Sequence, residues 1–284
     1  MPSVYVNGAY LEKDRAMVSV DDRGFTFGDG VYEGVRAIRG RLFHWPAHAD
    51  RLVNGLRGLR IDLAADQVGA LDAVAERLLR DNGLDDGEAF IYIAVTRGAA
   101  PRNHVFPAAG TPPTVYVSAT RLVVPREQRQ RGVAAITHED LRWARCDWKT
   151  LNVLGSVLAR QAAAEAGATE AILVRDGVVT EGAATTVFAV LDGVVRTHPP
   201  GHRILPGVTR DVVIACAHER GIALREEAFS EAELRVADEI FLCGTTTDVT
   251  PIVTLDGRPV AGGTPGPIAT QLRLALDERL YAPR

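Results

Sequence analysis

The sequence predicts an α+β protein built from two α/β-type lobes. Three observations carry that expectation. Strand-like runs turned by Asn-Gly, Arg-Gly and Asp-Gly dipeptides recur along the chain, as hairpins do. Runs of helical periodicity lie between them. A polar stretch, VPREQRQRG, separates an N-terminal set of elements from a C-terminal set. At 284 residues the chain can bury one large core or two moderate ones. The expected division is 1–118 as a small N-terminal α/β domain, 119–130 as a linker and 131–284 as a larger C-terminal domain.

The pattern VYVNGAYL alternates around Asn7-Gly8 and predicts a hairpin; VYEGVRAIRGRLF repeats the device around Arg39-Gly40. From His48 to Leu59, Leu52, Leu56 and Leu59 fall at helical spacing, and Val68 to Leu79 predicts a second helix stopped by Asn82-Gly83. AFIYIAV and TVYVSAT are short apolar runs of strand composition. Past the linker come a strand (VAAIT), the segment RWARCDWKTLNVLG, and a helix from about Ser156 to Ala166. EAILVRDGVVTEG and TTVFAVLDGVVRTH are expected hairpins turned by Asp176-Gly177 and Asp192-Gly193. GVTRDVVIACAHERG opens and closes as a helix does. Short strands are expected at 222–224 and 239–243, and a last helix over 267–280. Two such lobes leave a cleft between them as the natural place for a site.

Composition excludes several classes. A hydrophobic content of 46% describes an ordinary globular protein. The net charge of -4, with arginines scattered rather than blocked, argues against nucleic acid or an anionic membrane as partner. The first residues lack a basic-then-apolar signal pattern, and no apolar run reaches bilayer length. Cys146, Cys216 and Cys243 are odd in number and widely spaced, fitting neither a disulfide framework nor a zinc site. The expected compartment is therefore the cytoplasm, and no metal is expected.

Of 32 basic side chains only two, Lys13 and Lys149, are lysines. Arginine replaces lysine wherever only positive charge is needed. It cannot replace it where a neutral amine must attack a carbonyl. Lys13 lies in the polar run LEKDR and reads as solvated. Lys149 lies among apolar and aromatic residues in RWARCDWKTLNVLG, where desolvation favours the reactive amine. Cys146, three residues earlier, is the rival nucleophile or a small core residue.

A Schiff-base lysine needs an anion cradle for its cofactor's phosphate, an acid for the ring nitrogen and a pocket for substrate carboxylate. Gly207 and Thr209 precede a helical run, where free N–H groups suit phosphate, although a threonine there also reads as a plain N-cap. The turn GTTTD, Gly244 to Asp248, offers clustered hydroxyls. Arg51 in HADRL could add charge-assisted bonds. Glu181 in VVTEG could hold a ring proton or be an exposed turn residue. Arg102 and His104, in a loop flanked by Gly and Pro, make a sensible anion clamp, though alone they would read as loop polar residues.

Seven collinear stretches, RGFTFGDGVYEGV, HADRL, VTRGAAPRNHVFP, RCDWKTLNVLG, TEGAATTVF, GVTRDVV and TTTDVTP, together resemble the fold-type IV pyridoxal-phosphate aminotransferases. The likeness spans nearly the whole chain, and the nearest subgroup is the bacterial D-amino-acid transaminases. The resemblance implies pyridoxal 5'-phosphate held by the 131–284 domain, in the cleft between the lobes. It implies that Lys149 bonds covalently to the cofactor, that Glu181 holds the pyridine nitrogen and that Leu205 packs beside the ring. Arg51, Val208, Thr209 and Thr245 match the phosphate cradle. Tyr32 matches the tyrosine over the active site. With Arg102 and His104, which match a pair reaching across a homodimer interface, it binds the substrate α-carboxylate. The implied reaction is ping-pong transamination between a D-amino acid, of D-alanine or D-glutamate type, and a 2-oxo acid such as 2-oxoglutarate or pyruvate. Branched-chain L-amino-acid transaminases, (R)-amine transaminases and aminodeoxychorismate lyases share the fold and stay open, as does a non-catalytic binder of the cofactor. The chain departs from the subgroup at Ala183, Ala184, Thr185 and Thr186, where a serine-rich run ending in asparagine is usual, and at Gly244.

Overall fold

The computed structural model describes residues 1–282 and divides into two compact units. The first comprises Met1–Val123 together with Trp148–Asn152. It holds β1 (Ser3–Val6), β2 (Ala9–Glu12), α1 (Arg23–Phe27), β3 (Gly30–Ile38), β4 (Arg41–Leu42), α2 (Trp45–Leu59), α3 (Ala65–Gly69), α4 (Leu71–Asp81), β5 (Glu88–Thr96) and β6 (Thr114–Arg121). The strands form one sheet in the order β2-β1-β6-β5-β3-β4. Asn7 and Gly8 both take positive φ, as do Arg39 and Gly40. That geometry lets a two-residue turn follow the twist of its strands. One sheet face packs under the helices, with Val35, Ile91, Ile93 and Val117 against Leu52, Leu56, Leu78 and Leu79, all essentially buried.

The second unit, Val124–Asp147 with Val153–Arg284, holds the remaining elements. They are α5 (Arg126–Arg131), β7 (Val133–Glu139), α6 (Leu154–Glu165), β8 (Glu170–Arg175), β9 (Val178–Gly182), β10 (Thr186–Leu191), β11 (Val194–Thr197), α7 (Val208–Glu219), β12 (Leu224–Glu226), α8 (Glu231–Arg235), β13 (Glu239–Gly244), β14 (Asp248–Leu255), β15 (Arg258–Pro259) and α9 (Pro267–Leu280). Its sheet runs β12-β11-β10-β13-β14-β7-β8-β9, with β15 beside β14. Helix α6 carries the chain between parallel β7 and β8, and α7 does so between parallel β11 and β12, connections that parallel pairing requires. The central strands β10 and β13 are buried on both faces. Phe188 and Phe241 stack between them, ring centres 4.9 Å apart.

Three expectations are corrected. The stretch 119–130 is not a free linker: β6 runs to Arg121 and REQRQR forms α5. Buried Arg129 anchors that helix to Asp248, at 3.0 Å, and to Asp277. The polar run is thus a helix surface anchored through buried Arg129. Val68 to Leu79 does not form one helix but breaks between α3 and α4, where the Trp45 indole donates to the Gly69 carbonyl at 3.3 Å. Residues 148–152, within the range expected for the C-terminal domain, pack in the first unit instead.

Candidate active site

The residues singled out in the sequence fall into two groups, one in each unit. In the first unit, Lys149 lies on the returning segment Trp148–Asn152. Backbone bonds stitch this segment to the start of β3: Tyr32 N–H donates to the Lys149 carbonyl, and Leu151 N–H to Gly30, each at 2.9 Å. The half-buried Lys149 Nζ sits 4.2 Å from the centre of the Tyr32 ring.

Because side chains alternate along a strand, the residue after Tyr32, Glu33, points to the opposite face, under α2. It is completely buried. Its oxygens accept from Arg51 Nε and Nη2, both at 2.7 Å, and from His48 Nδ1 at 2.8 Å. His48 and Arg51 share a face because they stand three apart on α2. Burial pushes the Glu33 carboxyl up. The Arg51 charge and the hydrogen bonds from Arg51 and His48 outweigh it and bring the pKa to about 2. Burial pushes the His48 imidazole down, and the charges of Arg51 and Lys149 add to this against the pull of Glu33. A neutral ring donating its Nδ1–H to an ionised carboxylate satisfies both partners. Arg51 is thereby fixed by a two-pronged pair.

Arg102 and His104 lie exposed on the connection from β5 to β6. The Phe27 ring lies beneath both, 5.0 Å from the Arg102 guanidinium and 5.3 Å from the imidazole of His104.

In the second unit, Glu181 near the end of β9 is 5% exposed, so it is not a solvated turn residue. Both of its oxygens accept from the Leu205 N–H, at 3.1 and 3.2 Å, and Oε1 pairs with Arg142. Arg142 also forks onto Asp140, at 2.8 and 2.9 Å, and reaches the Arg203 carbonyl at 3.2 Å. Burial alone would raise Asp140; the Arg142 bonds and charge hold it below the usual carboxylate range. Burial opposes the Arg142 charge, but Asp140 and Glu181 together stabilise it well beyond an ordinary arginine.

The first turn of α7 begins at Gly207, and no side chain caps it. A Cβ at Gly207 would crowd Thr186 Oγ1 at 3.0 Å and Arg210 Cβ at 3.1 Å. Val208 and Thr209 are buried there. Helix α7 packs on β13, whose hairpin to β14 turns through Thr245, Thr246 and Thr247. Thr185, one of the departing positions, donates to buried Glu170 at 2.9 Å. Burial raises the Cys146 thiol away from its reactive form; Cys146 Sγ lies 3.2 Å from the Trp143 carbonyl.

Residues 30–255 match the family model of class IV amino-transferases. The chain belongs to this family. As a class IV aminotransferase it is 41% identical to a D-alanine aminotransferase of Staphylococcus haemolyticus, over 98% of both chains. A D-alanine aminotransferase of Bacillus licheniformis is 40% identical, over 98% of this chain and 97% of its own. Among solved structures, Escherichia coli branched-chain amino acid aminotransferase superposes with a TM-score of 0.90 at 28% identity, covering 97% of this chain and 93% of that one. The pyridoxal-phosphate-bound form of a hypothetical aminotransferase from Mycobacterium tuberculosis gives 0.84 at 26% identity, covering 99% and 100%.

The cofactor of this aminotransferase is pyridoxal phosphate, and the side chains present fit it. The uncapped first turn of α7, with Thr209 and the nearby threonine turn, has the donor chemistry a phosphate needs. A buried carboxylate paired with arginine suits a protonated ring nitrogen. Glu33, His48, Asp140 and Arg142 were not singled out from the sequence. The available signal was charge inside apolar patterns, as in VYEGVRAI, which marks buried ion pairs.

Proposed function

We propose that this chain moves the amino group of a D-amino acid, of D-alanine or D-glutamate type, onto a 2-oxo acid such as 2-oxoglutarate or pyruvate, in a ping-pong cycle. The observation that carries the donor class is the full-length kinship with D-alanine aminotransferases. Bound pyridoxal phosphate supplies an aldehyde for amines and a ring that accepts electron density.

The chain's own groups do the rest. Lys149 is the covalent attachment point, and its Nζ serves as the base that takes the α-proton of the donor and the acid that returns it. Tyr32, 4.2 Å away, walls the path of that nitrogen. Glu181 holds the proton on the ring nitrogen, and Arg142 keeps Glu181 in place. Val208, Thr209 and Thr245 donate to the phosphate, Arg51 adds its charge, and Leu205 packs beside the ring. Arg102, His104 and Tyr32 hold the substrate α-carboxylate, the first two reaching from a second copy in a homodimer. Exposed apolar side chains on one face of α6, Leu154, Val157 and Leu158, support such an assembly. A cytoplasmic setting belongs to the same reading, supported by three buried, unpaired thiols.

The likeness to branched-chain enzymes favours a second reading, an L-amino-acid transaminase. The two are separated by visible spectra before and after adding D-alanine and then L-leucine, with coupled detection of the oxo acid. Bleaching by L-leucine and not by D-alanine would overturn the D-amino-acid reading.

A further inference from the structure

The loop from β5 to β6 carries Arg102 and His104 but has little regular structure, and residues 101–106 are exposed. A clamp on such a loop needs its position set from beneath. The α1 turn with its flanking residues, Asp21 to Asp29, supplies that platform. Three backbone bonds seat the start of the loop on it: Arg23 N–H to Gly98 at 2.9 Å, Arg97 N–H to Asp29 at 3.1 Å, and Ala100 N–H to Asp21 at 3.2 Å.

Side chains then grip the clamp-bearing part. Arg23, 4% exposed, pairs with Asp29 through Nε at 2.8 Å and donates from Nη1 to the Asn103 carbonyl at 2.5 Å. Its guanidinium also lies 4.7 Å from the centre of the Phe27 ring, the ring on which Arg102 and His104 rest. On the other side of Asp29, Arg97 pairs with both of its oxygens, at 2.7 and 2.8 Å, and binds the carbonyls of Leu59 and Arg60. Arg97 further stacks 3.7 Å from the centre of the Phe106 ring. The loop is thus held at residue 103 and at residue 106, on either side of His104.

We propose that Arg23, fixed by Asp29 and acting through Phe27 and the Asn103 carbonyl, is a positioning residue that sets where Arg102 and His104 meet the substrate carboxylate. This rests on the reading of Arg102 and His104 as the clamp. A lysine at 23 keeps the charge beside Asp29 but loses the fork that reaches Asn103. A leucine at 27 removes the ring and leaves the charged cluster intact.

The test is steady-state kinetics with D-alanine and 2-oxoglutarate on the holoenzyme. Arg23→Lys and Phe27→Leu should each raise KM for D-alanine roughly tenfold and leave kcat within about twofold, because orientation of the bound carboxylate is what is lost. The visible absorption of the cofactor should not move. In an Arg102→Ala background the same changes should add less than about twofold, since residues acting through one contact are not additive. Full additivity there would make Arg23 merely structural and overturn the proposal. So would a wild-type KM in both single variants when Arg102→Ala raises it. A wild-type KM in Arg102→Ala itself would remove the clamp reading, and this inference with it. Should Arg23→Lys fail to fold, Phe27→Leu alone and with Arg102→Ala decides by the same outcomes.

Discussion

At the scale of single residues, the proposed chemistry concentrates on one amine and one carboxylate. Lys149 is the proposed amine: Lys149→Ala should lower turnover at least about 10⁴-fold and abolish the visible band of the bound cofactor. Borohydride reduction followed by peptide mass analysis should find the adduct on residue 149 and nowhere else. Glu181 is the carboxylate, and its behaviour depends on Arg142. Removing the arginine takes from buried Glu181 and Asp140 the cation they share and leaves Asp140 with Arg175, at 3.0 Å; losing one partner of a buried pair costs up to about 3–5 kcal/mol. Arg142→Met should therefore lower the melting temperature and weaken cofactor affinity together. Glu181→Gln, which keeps the shape and removes one of the two negative charges around Arg142, should lower turnover with a smaller loss of stability. Equal stability of the Arg142→Met and parent enzymes by thermal melting would contradict the role given to this arginine.

At the scale of elements, β3 and α2 are latched by Glu33, His48 and Arg51. Glu33 is depressed in the folded chain, from 4.5 to about 2. Its contribution is therefore fully present above about pH 4.5 and is lost as pH falls toward 2. By linkage that contribution is about 3 kcal/mol at neutral pH. Glu33→Gln should flatten the acid limb of stability between those limits; a limb of unchanged slope by chemical denaturation at several pH values would refute it. Because the latch also orients Arg51, the same variant should bind the cofactor more weakly. Much at this scale was legible in advance. Asn7-Gly8, Asp176-Gly177 and Asp192-Gly193 name their turns because few other pairs accept two positive φ values. The last helix stands where the pattern puts it, at Pro267–Leu280. Other elements were hidden by tertiary causes. Strand β14 contains Pro251 opposite Phe241, and a proline inside a strand argues against one. Helix α5 is polar throughout and carries a buried arginine, Arg129, which composition cannot distinguish from a solvated one. The candidate site was legible in the same uneven way. Lys149 stood out because lysine is so rare here, whereas Arg142 was one arginine among many.

At the scale of the whole molecule, activity is expected to require two copies, since the carboxylate clamp is proposed to reach across an interface. A charge placed in the exposed apolar face of α6, as in Val157→Glu, should shift the protein toward monomer and lower activity in parallel; a fully active monomer by sedimentation would overturn the shared arrangement. Expected scarcity of surface amines has a practical corollary. Lys13 is exposed in a single 3₁₀ turn far along the sequence from the chemistry, while Lys149 is inset against Tyr32. Amine-directed coupling to a resin or a fluorophore will therefore favour exposed Lys13 over half-buried Lys149. Immobilised through that point, every molecule would face the support in nearly the same orientation.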